Sequence, residues 1–426
     1  MNKGALSDYF HGVGTKILKG TEIDPTVSNG HEFQGIDVFR AFLGTPAEKT
    51  SIPVTYVWLE DDAEPSALPL HGTWYDSRRG KSHRNAEYRL YYPAAAEEVA
   101  YRAKPGDRLF LCKPKDGPVL ALFCKRQSSI ERQLLWLFGL QDSENTDLQQ
   151  IDLREGGGRF LDIAARHVLE LINVEVVVTE DGLLEKLLNH FKEARENSFP
   201  STVKFSHFAR RMAADADPVA DPDSSLLRWM DLEERLFMTL EKYFVGQRLQ
   251  RGFMVQGQPD VDAFLAYSLS VHNRRKSRAG WALCNHIEAL LRAHNIVFKR
   301  EARTEKRNGP DFLFPGEAEY HDASFPDAQL MMLAAKTSCK DRWRQVLAEA
   351  DRISPKHLLT LEPGISLAQT SEMRRSNVHL VVPQPLHESY LPQQQDQITT
   401  VAGFVELLRG TTNLYVGQIT RSNHIS

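Results

Sequence analysis

Asp311, Lys336 and Glu349 are the residues of this chain whose types and spacing suit hydrolysis of a phosphodiester. That reaction needs the charge on the scissile phosphate neutralised and a nucleophile made from water, and carboxylates holding a hard divalent cation serve both needs. A lysine beside them can stabilise developing negative charge or orient the attacking water. Pro310-Asp311 opens an apolar run, Phe312-Leu313-Phe314, that reads as a strand start, and Met331-Met332-Leu333-Ala334-Ala335 delivers Lys336 from a second strand. Residues 340–349 follow with helical period: Trp343, Val346, Leu347 and Ala350 recur at i, i+3, i+4 and i+7, while Asp341, Gln345 and Glu349 fall on another face. The spacing predicts a buried stripe on one side of this helix and a Glu349 free to point back toward Asp311 and Lys336. Types and spacing alone are equally compatible with three charges on a solvated surface.

The words around these residues are more specific. Arg274-Arg275-Lys276-Ser277-Arg278-Ala279-Gly280, Pro310-Asp311-Phe312-Leu313-Phe314-Pro315, Tyr320-His321-Asp322 and Ala335-Lys336-Thr337-Ser338-Cys339-Lys340-Asp341-Arg342-Trp343-Arg344-Gln345 closely resemble the catalytic domain of the EcoRII-type restriction endonucleases. The resemblance covers most of residues 222 to 390 and includes His357-Leu358, Gly364-Ile365-Ser366-Leu367-Ala368-Gln369 and Val381-Val382-Pro383. These enzymes are PD-(D/E)xK nucleases of the branch in which the second acidic ligand has moved from the lysine strand to the following helix. Here Ala334 stands two residues before Lys336, where the generic motif has Asp or Glu. The resemblance implies a catalytic centre of Asp311, Lys336 and Glu349 with Tyr320 close by, and Mg²⁺ held by Asp311 and Glu349. It also implies an acid on the helix after the arginine-rich word. Cys284 lies opposite the first such acid and Glu288, one turn later, opposite the second, so Glu288 is either a further metal ligand or a solvated helix glutamate.

Two sets of residues are placed to touch double-stranded DNA. By resemblance, Lys340, Asp341 and Arg342 read the G·C pairs of a target containing CC and GG. Lys340 and Arg342 would donate to guanines and Asp341 would accept from cytosines, although Asp is also a frequent helix cap. Arg274, Arg275, Lys276 and Arg278 form a basic run suited to phosphates. In the first part of the chain, Ser28-Asn29-Gly30-His31-Glu32-Phe33 and Arg84-Asn85-Ala86-Glu87-Tyr88-Arg89-Leu90-Tyr91-Tyr92 resemble the DNA-binding pseudobarrel found in the N-terminal part of this family, over roughly 20 to 130. The resemblance implies DNA contacts from His31, Lys81, Arg84, Glu87 and Arg89. In a strand, 87 and 89 share a face, which is either a reading edge or a solvated one.

The elements that must position these groups fall into two halves. Residues 1–180 carry short apolar runs at 54–59, 88–92, 108–112, 119–123 and 174–178, separated by Pro105-Gly106-Asp107 and Lys115-Asp116-Gly117-Pro118. This predicts a mostly β domain. Residues 181–195 read as a helical connector, and 196–225 as a polar, exposed joint, so that a fragment beginning near Asn197 should fold alone. In 196–426, helices at 226–243 and 261–269 precede strands at 311–314, 331–336, 357–361 and 378–382 that alternate with helices. The expected fold is multidomain α+β: an N-terminal mostly β DNA-binding pseudobarrel and a C-terminal α/β restriction-endonuclease-like domain.

The whole-chain composition argues little by itself. With 52 Lys+Arg against 56 Asp+Glu the formal charge is -4, so phosphates must be collected by local patches. Cys112, Cys124, Cys284 and Cys339 show no zinc spacing. No leader-like or membrane-length apolar run is present, and a cytoplasmic location is expected. The resemblance implies a type II restriction endonuclease, in the type IIE manner if the first domain binds an effector site, acting as a homodimer and paired with a DNA cytosine methyltransferase. A non-enzymatic DNA-binding regulator and a nicking or structure-specific repair nuclease are the alternatives.

Overall fold

The two halves of the chain fold separately: in the computed structural model it forms two units, Met1–Val177 with Pro363–Leu367, and Val178–Glu362 with Ala368–Ser426. The structure describes residues 4–28, 30–34, 36–80, 83–142, 148–154, 158–176, 182–305 and 309–422, and of 340, 341 and 412–422 the backbone only. Lys81 lies outside the described residues, as do the side chains of Lys340 and Asp341.

The first unit is built on one mixed sheet of eight strands: β1 (Phe10–Ile17), β2 (Glu32–Phe33), β3 (Thr50–Leu59), β4 (Ser66–Asp76), β5 (Tyr88–Tyr91), β6 (Arg108–Pro114), β7 (Val119–Cys124) and β8 (Leu148–Asp152). Their spatial order is β2-β5-β4-β3-β7-β6-β1-β8, antiparallel except for the parallel pair β3–β7. The four inner apolar runs read from sequence are β3, β5, β6 and β7. Strand β1 escaped that reading because it carries Gly12 and Gly14, which lack β propensity. Their absence of a side chain is used: a Cβ on Gly14 would lie 2.1 Å from the Phe39 ring and one on Gly12 2.7 Å from Phe42. Phe33, Phe39, Tyr56, Trp74, Tyr92 and Phe123 fill the core beneath the sheet. Helices α1 (Ser129–Phe138) and α2 (Ile163–Leu171) are each N-capped by a side chain, Ser128 and Asp162. Residues 174–176, expected to be strand, are not; 177 and 178 lie outside the described residues.

The second unit begins with helices α3 (Leu183–His190), α4 (Lys192–Arg195) and α5 (Thr202–Met212). The helical connector expected over 181–195 appears as α3 and α4, but the joint expected to be exposed over 196–225 is so only in part: Leu183, Leu187, Phe191, Ala194, Phe205 and Phe208 are buried, and Phe191 stacks on Phe205 at 5.7 Å. A fragment starting at Asn197 would lose part of this core, so its boundary belongs near Gly182. Helices α6 (Pro222–Arg251) and α7 (Val261–Ala293) follow, joined by a small hairpin of β9 (Met254–Val255) and β10 (Gln258–Pro259). Asp223, buried in the first turn of α6, accepts from Gln384 N, Val401 N and Ala402 N at 2.8 to 2.9 Å, which ties α6 to the start of α8 (Val401–Ser422).

Helix α7 packs its second half on a five-stranded sheet of β11 (Lys299–Arg300), β12 (Phe312–Phe314), β13 (Met331–Lys336), β14 (Lys356–Thr360) and β15 (Val378–Val381), in that spatial order. The pairs β11–β12 and β12–β13 are antiparallel; β13–β14 and β14–β15 are parallel. The near-continuous apolar runs in β12, β13 and β14 fit strands buried on both faces. Because β12 runs against β13, the start of one and the end of the other meet at the same edge. That is where Asp311 and Lys336 sit.

Candidate active site

Asp311 directly precedes β12 and Lys336 ends β13. Asp311 Oδ2 accepts from Ala335 N at 2.7 Å and pairs with Lys336 Nζ at 3.3 Å. The backbone of Asp311 is fixed from the other side, where Glu301 N donates to its carbonyl at 3.1 Å. Ala334 is fully buried and, two residues before Lys336, lies on the same face of β13. An acid at that place would face the lysine; the third member must instead come from further along the chain.

It comes from a segment that departs from the expected helix. Residues Lys340–Ala348 form a 3-10 helix, with Glu349 as its C-cap in extended backbone. With three residues per turn, side chains at i and i+3 eclipse, so Trp343, Val346 and Glu349 fall in one row. Trp343 and Val346 are buried, and Leu347, expected in the buried stripe, is instead 37% exposed. An α-helix would turn Glu349 away from the row that Trp343 anchors; the tighter helix turns it inward. The start of this helix is held by Glu362, whose carboxylate accepts from Cys339 N. Its end is held by Lys356, which donates to the carbonyls of Glu349 and, at 2.9 Å, Ala350.

Burial is the main influence on Glu349 and pushes its carboxyl up to about 7; the nearby Lys336 opposes the shift and Asp311 adds to it. Its Oε2 is buried without a hydrogen-bond partner. A buried carboxylate oxygen with no donor is costly, and here it lies within the electrostatic reach of both Asp311 and Lys336. Two carboxylates so placed fit Mg²⁺, which takes one or two protein carboxylates and completes its octahedron with water and phosphate oxygens. Among the described residues, no group of three or more His, Cys, Asp or Glu side chains is disposed to hold a metal ion.

Tyr320 packs against the segment that follows Glu349. Its hydroxyl donates to the Glu305 carboxylate at 2.6 Å and accepts from Arg352 N at 3.3 Å. The Arg352 guanidinium donates to the Tyr320 carbonyl and pairs with Asp327 at 2.6 Å. These contacts brace the loop after Glu349. Tyr320→Phe should cost about 1 kcal/mol of stability yet leave DNA cleavage within about threefold of wild type; a hundredfold loss in single-turnover assays would return Tyr320 to the reaction.

Glu288, left open between a metal ligand and an ordinary helix glutamate, is engaged by two arginines. Its oxygens are held by Arg292 and Arg300, each at 2.8 Å. Burial would raise its carboxyl, but the two arginines outweigh this and hold it below the ordinary range. On α7, Cys284 feels the charge of Asp311: its thiol is pushed up to about 12 by burial first and by Asp311 next.

The basic run on α7 divides. Arg275 pairs with the buried Glu241 at 2.5 Å. Arg278 donates to the Pro200 carbonyl and lies over Phe199, Phe205 and Phe237, and Arg274 stacks on Phe199 at 4.8 Å. Of the four, only Lys276 is exposed. Arg342 is exposed at the start of the 3-10 helix. In the first unit, Arg78, Glu87, Arg89 and Glu32 form a chain of ion pairs at 2.7, 3.1 and 2.8 Å. His31 pairs with Glu97 at 3.0 Å and stacks on Tyr92 at 5.2 Å, whereas Arg84 is exposed. Sequence reading missed Arg300, Lys356 and Glu362, since no spacing marks a residue that meets its partner only through the fold.

A mixed sheet whose one edge gathers Asp311 and Lys336, with Glu349 supplied from the segment after the lysine strand, defines a restriction-endonuclease-like fold. Residues 237–405 match the family model described as EcoRII C terminal. Over 191 residues the chain is 46% identical to the Type II restriction enzyme EcoRII of Escherichia coli, a match covering 45% of this chain and 46% of that enzyme. The chain thus spans about half the length of the curated relative it matches. Among solved structures it is similar to metal-depleted Ecl18kI in complex with uncleaved, modified DNA, with a TM-score of 0.42 and 19% identity over 52% of this chain and 81% of the other. A PspGI–substrate DNA complex gives a TM-score of 0.42 and 13% identity over 52% and 95%. Among the described residues no helix is long and apolar enough to cross a membrane.

Proposed function

We propose that this chain is a type II restriction endonuclease of the EcoRII kind, hydrolysing both strands of a palindromic CC/GG-containing DNA site with Mg²⁺. The observation that carries the proposal is the meeting of Asp311, Lys336 and the partnerless Oε2 of Glu349 at one sheet edge. The 46% identity to EcoRII supports it.

Mg²⁺ bound between Asp311 and Glu349 would neutralise phosphate charge and lower the pKa of water. Ala335 N and Lys336 fix the Asp311 carboxylate so that it does not have to reorganise during the reaction. Lys336, paired with Asp311 at 3.3 Å, would stabilise charge developing on the phosphate. Glu349 acts as its ionised form, which the buried setting favours only above about pH 7 in the metal-free protein. Lys340, Asp341 and Arg342 begin four residues after Lys336, so base reading and cleavage share one segment. A bidentate contact of this type discriminates by about 1 to 3 kcal/mol. Lys276 and Arg84, both exposed, serve phosphates in each unit.

A palindrome is matched by a two-fold dimer. The first half of α7 contributes no buried residue. Val261, Leu265 and Leu269 stand exposed at i, i+4 and i+8. Leu265→Glu should convert the dimer to a monomer in sedimentation velocity; an unchanged dimer would place the interface elsewhere. In the cell the activity requires a cytosine methyltransferase that protects the same site.

Incubating supercoiled plasmid with the protein and Mg²⁺ tests the reading. Discrete linear fragments are the expected result. Nicked circles would favour a nicking or repair nuclease, and intact plasmid with retained binding would favour a regulator.

A further inference from the structure

Glu288 faces β11 along a row of α7 that also holds Trp281, Asn285 and Arg292, at i, i+4, i+7 and i+11. One residue of the neighbouring strand meets this row. Arg300 donates through one guanidinium nitrogen to Asn285 Oδ1 and to Glu288 Oε2, both at 2.8 Å, and lies over the Trp281 ring at 5.5 Å. Asn285 is fixed in turn: its Nδ2 donates to Ser206 Oγ at 3.0 Å, and Ser206 donates to the buried Glu233 at 3.1 Å. Arg300 is thus joined to α5, α6 and α7.

The strand that Arg300 belongs to leads to the reaction centre. Arg300 opposes Phe312 in the β11–β12 register, and the next residue, Glu301, donates its backbone N–H to the Asp311 carbonyl at 3.1 Å. Strand β11 is only two residues long and lies at the edge of the sheet. Few backbone bonds hold it, so its side-chain anchor weighs heavily on where Asp311 stands.

We propose that Arg300, clamped by Glu288 and Asn285 of α7, is a positioning residue for Asp311, and that Glu288 acts through this clamp and not as a metal ligand. The inference rests on the nuclease reading for its kinetic consequence. Outer-shell partners of metal-binding carboxylates typically matter by about 10- to 100-fold in affinity or activity.

The test uses the full chain. Single-turnover cleavage of cognate duplex is measured across Mg²⁺ concentrations for E288A, E288Q, R300M and E288A/R300M. The Gln side chain still offers a carbonyl oxygen to Arg300. E288Q should therefore remain within about threefold of wild type, while E288A and R300M each lose about tenfold at saturating Mg²⁺. The double variant should be no worse than R300M, because the two residues act as one unit. DNA affinity without metal should be unchanged in all four. A Glu288 that binds metal gives the opposite pattern: E288Q as damaging as E288A, a Mg²⁺ half-saturation raised about tenfold or more, and losses that multiply in the double variant. Full activity in R300M also overturns the proposal. If R300M does not fold, the E288A and E288Q pair decides it. Amide hydrogen exchange of residues 311–314 supplies a readout independent of cleavage. Faster exchange in E288A and R300M, but not in E288Q, supports the clamp even if the wild-type protein does not cut DNA; unchanged exchange in all variants counts against it.

Discussion

Asp311→Ala and Lys336→Ala will each lower the single-turnover cleavage rate by at least about 10³-fold, equivalent to about 4 kcal/mol of transition-state stabilisation. The size follows from the position of the two groups. Asp311 holds one of two carboxylates at the centre and is preorganised by Ala335 N and Lys336 Nζ. Its removal would take away a proposed metal ligand and the partner of the lysine together. Lys336→Ala leaves Asp311 in place but removes the cation that faces the developing charge. Binding of cognate DNA in the absence of metal should persist in both variants, because phosphate and base contacts are made by other residues. Gel-shift titration beside quenched-flow cleavage checks this. A Lys336→Ala protein that cuts at a near wild-type rate would mean the centre lies elsewhere.

The second large effect is a pH dependence set by Glu349. Its carboxyl lies at about 7 in the folded chain against an ordinary 4.5, chiefly through burial. A proton therefore competes with Mg²⁺ for Glu349 below pH 7, and at subsaturating metal the cleavage rate should fall about tenfold per pH unit there. The sign for stability is the reverse. Between the two values the folded, metal-free protein keeps a proton that the unfolded chain has released. This group's contribution is complete below 4.5 and is lost as pH rises through about 7, whereas the buried His357 and His286, whose imidazoles burial holds below their ordinary value, contribute in the opposite direction. Glu349→Gln should abolish much of the metal-dependent rate and remove this group's share of the stability slope, so that the variant's metal-free stability falls less, or rises more, with pH than that of the wild type. Urea midpoints from pH 4.5 to 8 read the stability arm. A Glu349→Gln protein whose midpoint keeps the wild-type slope would show that another group titrates.

Much of the second unit is legible in the sequence because its strands are buried on both faces. The run Met331-Met332-Leu333-Ala334-Ala335 has no other reading than a core strand, and β13 ends on Lys336 as the spacing requires. The proposed trio is marked by the surrounding words more than by types and spacing, and the fold joins two of its members, Asp311 and Lys336, in an ion pair. Legibility fails where tertiary contacts decide. Residues 340–349 fit a 3.6-residue period well enough to place Leu347 in the core, yet capping by Glu362 and Lys356 holds the segment as a 3-10 helix and exposes Leu347. Arg275 and Arg278 look like DNA contacts in a basic run, but each meets a partner supplied by a distant part of the chain, Glu241 and the aromatic cluster around Phe199. Glu87 stands just before β5 and Arg89 within it, and the two pair with each other and with Arg78 and Glu32. In β1 the glycines that weaken the strand signal are the residues that let Phe39 and Phe42 pack. Such pairings join residues far apart in sequence, where no local period reaches.

The most direct test of the nuclease centre is to digest DNA of mixed sequence with the full chain and Mg²⁺ and to sequence the fragment ends. The account expects double-strand ends that fall at one short palindrome containing CC and GG, that vanish when Mg²⁺ is chelated and that are absent with Asp311→Ala. Ends scattered without a common sequence, or cleavage that survives both chelation and the loss of Asp311, would contradict it.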